Sequence, residues 1–313
     1  MSKKFDIIAL GEILIDFTFV DIKEGKKLFQ QNPGGAVANV LVSATNLGSK
    51  TGFIGKAGLD MHGNFLKDTL VSANVNVSGF ILDSNFFTTL AFVDLDEFKE
   101  RTFSFARKPG ADTQLTIEDL NIDLIKDTKI LHVGSLSLTH EPVRSTTYKA
   151  IEIAKENGSI ISYDPNYRAS LWSSVEEASK YMKSIIPNIM KLSDDEVELL
   201  TDCDNYIDAA KYLFNKGIKV VVVTLGKDGC YVYNKEGGAL VSGFKSEVID
   251  TTGAGDAFWG AFLNKISENG IDSNLDDLKE YARFANATAS LCVQKYGAIP
   301  AMPSLEEVKK RLK

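Results

Sequence analysis

With 313 residues, 44% of them hydrophobic, the chain can bury roughly three quarters of its unfolded surface, enough for one large or two modest cores. A formal charge of −7 at pH 7 argues against nucleic acid or an anionic membrane as the main partner, because both require a basic face, so any anionic ligand must be met by local charge. Cys203, Cys230 and Cys292 are odd in number and far apart, the apolar run after Asp6 is too short for a signal peptide, and no stretch approaches the roughly eighteen apolar residues of a membrane span, which together point to a reduced, cytoplasmic protein.

Along the chain, short β-branched runs at Ile7–Leu10, Gly52–Gly55, Ile130–Val133, Ile160–Tyr163 and Val220–Thr224 are bounded by Gly or Asp. Between them lie helical patterns over Ala36–Leu47, Gly63–Ser72, Val143–Glu156, Val175–Ser184, Glu196–Leu200 and Asp208–Asn215. This alternation predicts an α/β fold with a mostly parallel sheet covered on both faces and a site beyond the carboxyl ends of its strands. Two stretches break the rhythm, Leu14–Gln31 and Phe86–Arg107, the second reading as hairpin strands around Asp94-Leu95-Asp96-Glu97. The expected division is a core of 1–13, 32–84 and 109–313 and a small β lid of 14–31 and 85–108. The lid's apolar face, with Phe17, Phe19, Phe92, Phe103 and Phe105 as candidates, needs a cover. A second copy or the substrate could supply it, and a lid that also dimerises is the economical expectation.

Candidate site residues follow in chain order. Asp16, just after the first strand, could accept two sugar hydroxyl hydrogen bonds or be a charge on the lid surface. Gly34 and Gly35 open a helix with room for a close ligand approach, and Asn39 offers both donor and acceptor to a polyol, the alternatives being tight packing and solvent. Arg107 and Lys108 end the lid hairpin; either could meet an anion or be solvated. Asp164-Pro165-Asn166-Tyr167-Arg168 leaves a strand where side chains reach a site, and Arg168 suits phosphate oxygens. Thr224, Gly226, Lys227 and Gly229 would suit a nucleotide's ribose and phosphates, or make an ordinary β-turn. The three histidines, His62, His132 and His140, have no ligand spacing, so a metalloenzyme has little support.

The strongest feature is Asp250-Thr251-Thr252-Gly253-Ala254-Gly255-Asp256-Ala257-Phe258, a turn without bulk that opens an amphipathic helix. Its Gly253, Ala254 and Gly255 amides lie at a helix start, unpaired and at the positive dipole end, where an anion fits. Asp256 adds a carboxylate beside them, poor for binding an anion but suited to taking a proton from an attacking hydroxyl, hence phosphoryl transfer. Alternatively, Asp256 merely caps the helix. There is no Gly-x-x-x-x-Gly-Lys-Ser/Thr element and no Gly-x-Gly-x-x-Gly after the first strand, which excludes a P-loop enzyme and disfavours a dinucleotide-dependent one.

Gly34–Asn39 through Leu47-Gly48 and Asp250–Phe258 resemble the two signatures of the PfkB carbohydrate kinases, the ribokinase-like fold, and the resemblance runs to about Pro303. It implies a three-layer sandwich with a small β lid, ATP with Mg2+ as phosphoryl donor, and Asp256 as the base with Gly253–Gly255 holding the transferring phosphate. It further implies that Asp16, Gly35 and Asn39 bind sugar, that Thr224, Gly226 and Asn286 line the ATP site, that Arg168 faces phosphate or sugar, that Glu196 holds Mg2+ through water, and that Asp250 and Thr252 could hold K+. One departure is Ser193 where the family commonly has Asn, a form that fructokinase-like members often carry. Fructose to fructose 6-phosphate is the expected reaction. Ketodeoxygluconate kinase is the alternative, for which Arg107 would supply a cation, and a silent sugar or nucleotide sensor is the reading from another class.

Overall fold

The structure, a computed structural model, describes residues 3–95 and 101–313. The chain enters with β1 (Phe5–Leu10), leaves the main sheet for β2 (Leu14–Lys23) and β3 (Lys26–Gly34), and returns through α1 (Ala36–Asn46), β4 (Thr51–Gly58), α2 (Met61–Ser72) and β5 (Asn76–Asp83). After β6 (Leu90–Leu95) and β7 (Arg101–Ala106), strands and helices alternate through α3 (Ile122–Lys126), β8 (Thr128–Gly134), α4 (Val143–Glu156), β9 (Ile160–Asp164), α5 (Val175–Met182) and β10 (Ile189–Ser193). Then come α6 (Val197–Thr201), α7 (Tyr206–Asn215), β11 (Val220–Thr224), the hairpin β12 (Cys230–Asn234) and β13 (Gly237–Val241), and finally α8 (Ala254–Asn269), α9 (Leu275–Cys292) and α10 (Leu305–Leu312).

The large sheet has nine strands in the order β13-β12-β11-β10-β9-β8-β1-β4-β5. All neighbours are parallel except β11 with β12 and β12 with β13. Strand periodicity divides the core into two. Ile7 and Ala9 face a layer that contains Leu41, Leu66, Phe262 and Val308, whereas Ile8 and Leu10 face one that contains Leu124, Ala150, Met182 and Leu213. Helices α1, α2, α8, α9 and α10 thus cover one face and α3 to α7 the other, and the inner strands bury both sets of their side chains, whereas the edge strands β5 and β13 are partly exposed.

The short runs read from the sequence mark five of these nine strands; β5, β10, β12 and β13 lie outside them. In β10 the reason is Lys191, a lysine in the middle of a buried strand, 5% exposed. The predicted helix from Glu196 begins one residue later, because Glu196 closes a capping box with Ser193 ahead of it.

A separate four-stranded sheet, β3-β2-β6-β7, lies in the two stretches that broke the rhythm, although β3 runs on to Gly34. Residues 96–97 of the expected turn lie outside the described residues. Two-residue alternation corrects the idea of one phenylalanine face. Phe17 stacks on Phe92 with centroids 5.3 Å apart, and Phe29 meets both Phe19 and Phe92 edge-on. Phe105 instead pairs with Ala91, which is opposite Asp16, so it shares Asp16's face and lines a cavity with it. The side chain of Phe103 lies outside the described residues.

The buried histidine His132 shares the Ser162 hydroxyl with the Trp259 indole, and burial drives its pKa down to about 3. It is a neutral core residue. No helix among the described residues is long and apolar enough to cross a membrane.

Candidate active site

A cavity of about 390 Å³ lies between the carboxyl ends of the parallel strands and the inner face of the small sheet. Its wall on one side is the start of α8. Thr252, Gly253, Gly255 and Asp256 all line it. Gly253 has φ 77°, the left-handed region where glycine avoids strain, and a Cβ there would fall 2.6 Å from that of Ala298. The turn therefore needs glycine on two counts. Ala254 is not on the wall, and its N–H donates to the carbonyl of Thr251 at 3.3 Å. By position the Gly255 and Asp256 amides have no intrahelical acceptor.

Asp256 is buried, with its Oδ2 accepting from Asn39 Nδ2 at 2.8 Å and its Oδ1 within 3.5 Å of Asn166 Nδ2. Burial pushes its carboxyl up to about 6, against the opposing pull of the Asn39 hydrogen bond. A carboxylate held here is more basic than an ordinary aspartate yet still ionised at neutral pH. Asn166, with φ 47°, adopts the left-handed turn that asparagine tolerates.

Opposite stands Asp16 on β2. A Cβ on Gly34 would collide with Asp16 Oδ2, so the first glycine of the pair makes room for that carboxylate. Gly35, at φ 113°, would place a Cβ 2.6 Å from the carbonyl of Glu12. Glu12 also lines the cavity; its Oε1 accepts from the Ala36 N–H at 2.7 Å, and burial raises its pKa to about 7.

Two cations line the cavity, Arg168 and Lys191. Ile189 and Met190 pair with Ser162 and Tyr163, and the next step along the strands brings Lys191 Nζ within 2.6 Å of Asp164 Oδ2. Burial alone would depress this lysine, but the carboxylates of Asp164, Glu196 and Asp256 outweigh it and the pKa is raised. Arg107 is not on the wall. Its Nε and Nη2 grip Asp112 Oδ2 at 2.7 Å, Nη1 donates to Thr139 and Nη2 to the carbonyl of Leu136. The expected substrate cation is thus committed inside the protein by Asp112, Thr139 and the Leu136 carbonyl, although Ala106 and Lys108 on either side of it are exposed.

Thr224, Gly226, Lys227, Gly229 and Asn286 lie outside this cavity's lining. They gather beyond the end of β11, where a Cβ on Gly229 would strike the Val241 carbonyl and Asn286 Nδ2 donates to the carbonyls of Val241 and Ser242 at 3.1 and 3.2 Å. Asp250 Oδ1 accepts from the N–H and hydroxyl of Thr252, and its Oδ2 from the Gly297 N–H. Glu196 spends Oε1 on the Tyr167 N–H and Oε2 on the Ser193 N–H, which ties the Asp164–Arg168 segment to the end of β10.

The sequence reading gave no role to Glu12, Asn166 or Lys191. Lys191 carried a usable signal, a cation inside an otherwise apolar strand. Glu12 carried none, since its burial depends on α1 and the small sheet closing over it.

A bare-amide turn, a buried carboxylate beside it and a polar wall opposite mark a phosphoryl-transfer site. Residues 4–305 match the pfkB family carbohydrate kinase description. The chain belongs to the PfkB family of carbohydrate kinases. Within that family it is 44% identical to "Fructokinase-2" of Solanum lycopersicum over 98% of this chain and 96% of that one. Among solved structures, the PfkB fold here superposes on fructokinase from Xylella fastidiosa with bound ATP at a TM-score of 0.90, 31% identity and 98% coverage of both chains. It superposes on fructokinase from Vibrio cholerae O395 in a fructose-, ADP- and calcium-bound form at 0.89, 32% identity and 99% coverage of both. The fold is the ribokinase-like sugar-kinase sandwich with a large, mostly parallel sheet and a second small one.

Proposed function

We propose that this PfkB kinase is an ATP-dependent fructokinase, transferring the γ-phosphate of ATP to the primary hydroxyl of D-fructose to give fructose 6-phosphate. The observation that carries the reading is Asp256: a buried carboxylate raised to about 6, held by Asn39 on the same wall as the Gly253–Gly255 turn. The 44% identity to a fructokinase over nearly the whole chain supports fructose as the acceptor.

In this reading Asp16, Gly34, Gly35 and Asn39 orient the sugar. Asp256 accepts the proton of its hydroxyl as that oxygen bonds to the γ-phosphorus, and the bond to the β-γ bridging oxygen breaks to release ADP. The amides of Gly253–Gly255 hold the equatorial oxygens, with that of Ala254 first leaving Thr251, and Arg168 and Lys191 add positive charge. Thr224, Gly226, Lys227, Gly229 and Asn286 border the nucleotide. Among the described residues no cluster of three or more His, Cys, Asp or Glu could cage a metal, which suits Mg2+ carried on ATP phosphates and met through water by Glu196. That ion, when bound, neutralises the β- and γ-oxygens. K+ at Asp250 and Thr252 would share a carboxylate that already braces Gly297.

The exposed Val20, Ile22, Leu28 and Phe29 of the small sheet support a lid, 14–31 and 85–108, that covers the sugar and pairs with a second copy. Three free cysteines support a reducing, cytoplasmic setting. A ketodeoxygluconate kinase would want a lid cation, and Arg107 is committed to Asp112. A coupled ADP-release assay over fructose, ketodeoxygluconate, ribose and glucose tests the reading. Preference for ketodeoxygluconate overturns the substrate, and sugar binding without turnover would make the protein a sensor.

A further inference from the structure

Glu12 occupies the point where the chain leaves β1 for β2. Ala36, whose N–H it holds at 2.7 Å, is the point where the chain returns from β3 to α1. One carboxylate therefore joins both roots of the β2–β3 hairpin to the first turn of α1. Asn39 lies three residues on, at the end of the first turn and on the same helix face, and donates to Asp256 at 2.8 Å. Two links thus connect the root of the small sheet to the carboxylate that faces the acceptor. A single backbone N–H needs only a neutral acceptor, and Gln would bury far more cheaply than Glu. Yet Glu12 is 2% exposed, and its Oε2 has no hydrogen-bond partner among the described residues.

We propose that Glu12 is a positioning residue of phosphoryl transfer: its carboxylate fixes the first turn of α1 against the root of the small sheet and so sets the Asn39–Asp256 contact. The inference rests on the kinase reading. Arg107, at the root of β7, attracts the ionised form and Asp112 opposes it, while Asp16, Arg168, Lys191 and Asp256 stand around the same cavity. Because burial lifts the carboxyl to about 7, both forms are populated near neutrality. The ionised form is the stronger acceptor for the Ala36 N–H. Turnover then falls as pH drops through about 7, a step above that of Asp256 at about 6.

The test is kcat and kcat/KM for wild type, Glu12→Gln and Glu12→Ala from pH 5.5 to 9. Glu12→Gln keeps the acceptor for Ala36 but cannot ionise. It should lose the upper of the two acid-side steps and show kcat about tenfold lower at pH 8, a barrier rise of ~1.4 kcal/mol, with KM for ATP unchanged. Glu12→Ala should lose more and speed hydrogen exchange at residues 36–40. If Glu12→Ala fails to fold, Glu12→Gln still decides. A Glu12→Gln profile that matches wild type at every pH overturns the inference, as does wild-type kcat in Glu12→Ala. Wild type that turns over no sugar in the same assay overturns the kinase reading instead.

Discussion

Asn39 Nδ2 lies 2.8 Å from Asp256 Oδ2, across 217 residues of sequence. The bond joins the first turns of α1 and α8, two helices on the same face of the sheet. It also favours the ionised carboxylate against the burial that disfavours it. A group for proton abstraction needs both influences, since burial alone would leave it neutral and free hydration would leave it too weak a base.

Asp256→Asn should lower kcat by about 10²–10⁴-fold while stabilising the fold. The folded pKa of about 6 lies above the ordinary aspartate value of 3.8. The wild-type group's favourable contribution is therefore complete below about pH 4 and is lost as pH rises through about 6. Unfolding free energies of the two proteins should converge near pH 4, separate up to about pH 6 by on the order of 3 kcal/mol, and stay apart above it. A separation independent of pH would contradict this.

Gly34→Ala places a methyl group on Asp16 Oδ2 and should displace that carboxylate. Losing a charge-assisted hydrogen bond of ~1.5–3 kcal/mol raises KM for the sugar about ten- to a hundredfold. KM for ATP should hold steady, and initial rates with each substrate varied in turn separate the two.

Lys191→Met leaves the Asp164 carboxylate buried without its lysine, where one of its oxygens already has no hydrogen-bond partner among the described residues. Removing one member of such a pair costs about 3–5 kcal/mol, and neutralising the other member recovers much of it. Urea denaturation should therefore show Lys191→Met strongly destabilised and Lys191→Met with Asp164→Asn closer to wild type. Equal stability of the single variant and wild type would mean that the pair carries no such strain.

Burial raises the thiols of Cys230 and Cys292 to about 12, while Cys203 is only half-buried. Since the thiolate is the reactive form, an aromatic disulfide reagent at pH 8 should modify Cys203 rapidly in the native protein and the other two only after unfolding. Mass spectrometry of the tryptic peptides distinguishes the three.

The alternating strands and helices, the separate small sheet and the turn at Asp250–Asp256 were legible because each is written in neighbouring residues. Period two or three and a half in apolar positions, and small residues before a helix, act over a few positions. The strand with Lys191 hid because its register, not its composition, makes it a strand. The phenylalanines of the small sheet read as one face from the sequence because alternation within a strand is readable and pairing between strands is not.

Sequence by itself determined the chemical kit: a carboxylate in a helix's first turn, glycines ahead of it, and a polar residue on a second glycine-led helix. Only the folded chain decided which charges meet. It set Arg107 against Asp112, Lys191 against Asp164 and Asn39 against Asp256, and it enclosed Glu12. Charge and protonation depend on burial and on partners that can lie hundreds of residues away, and those distances exist only once the sheet has brought its strands side by side.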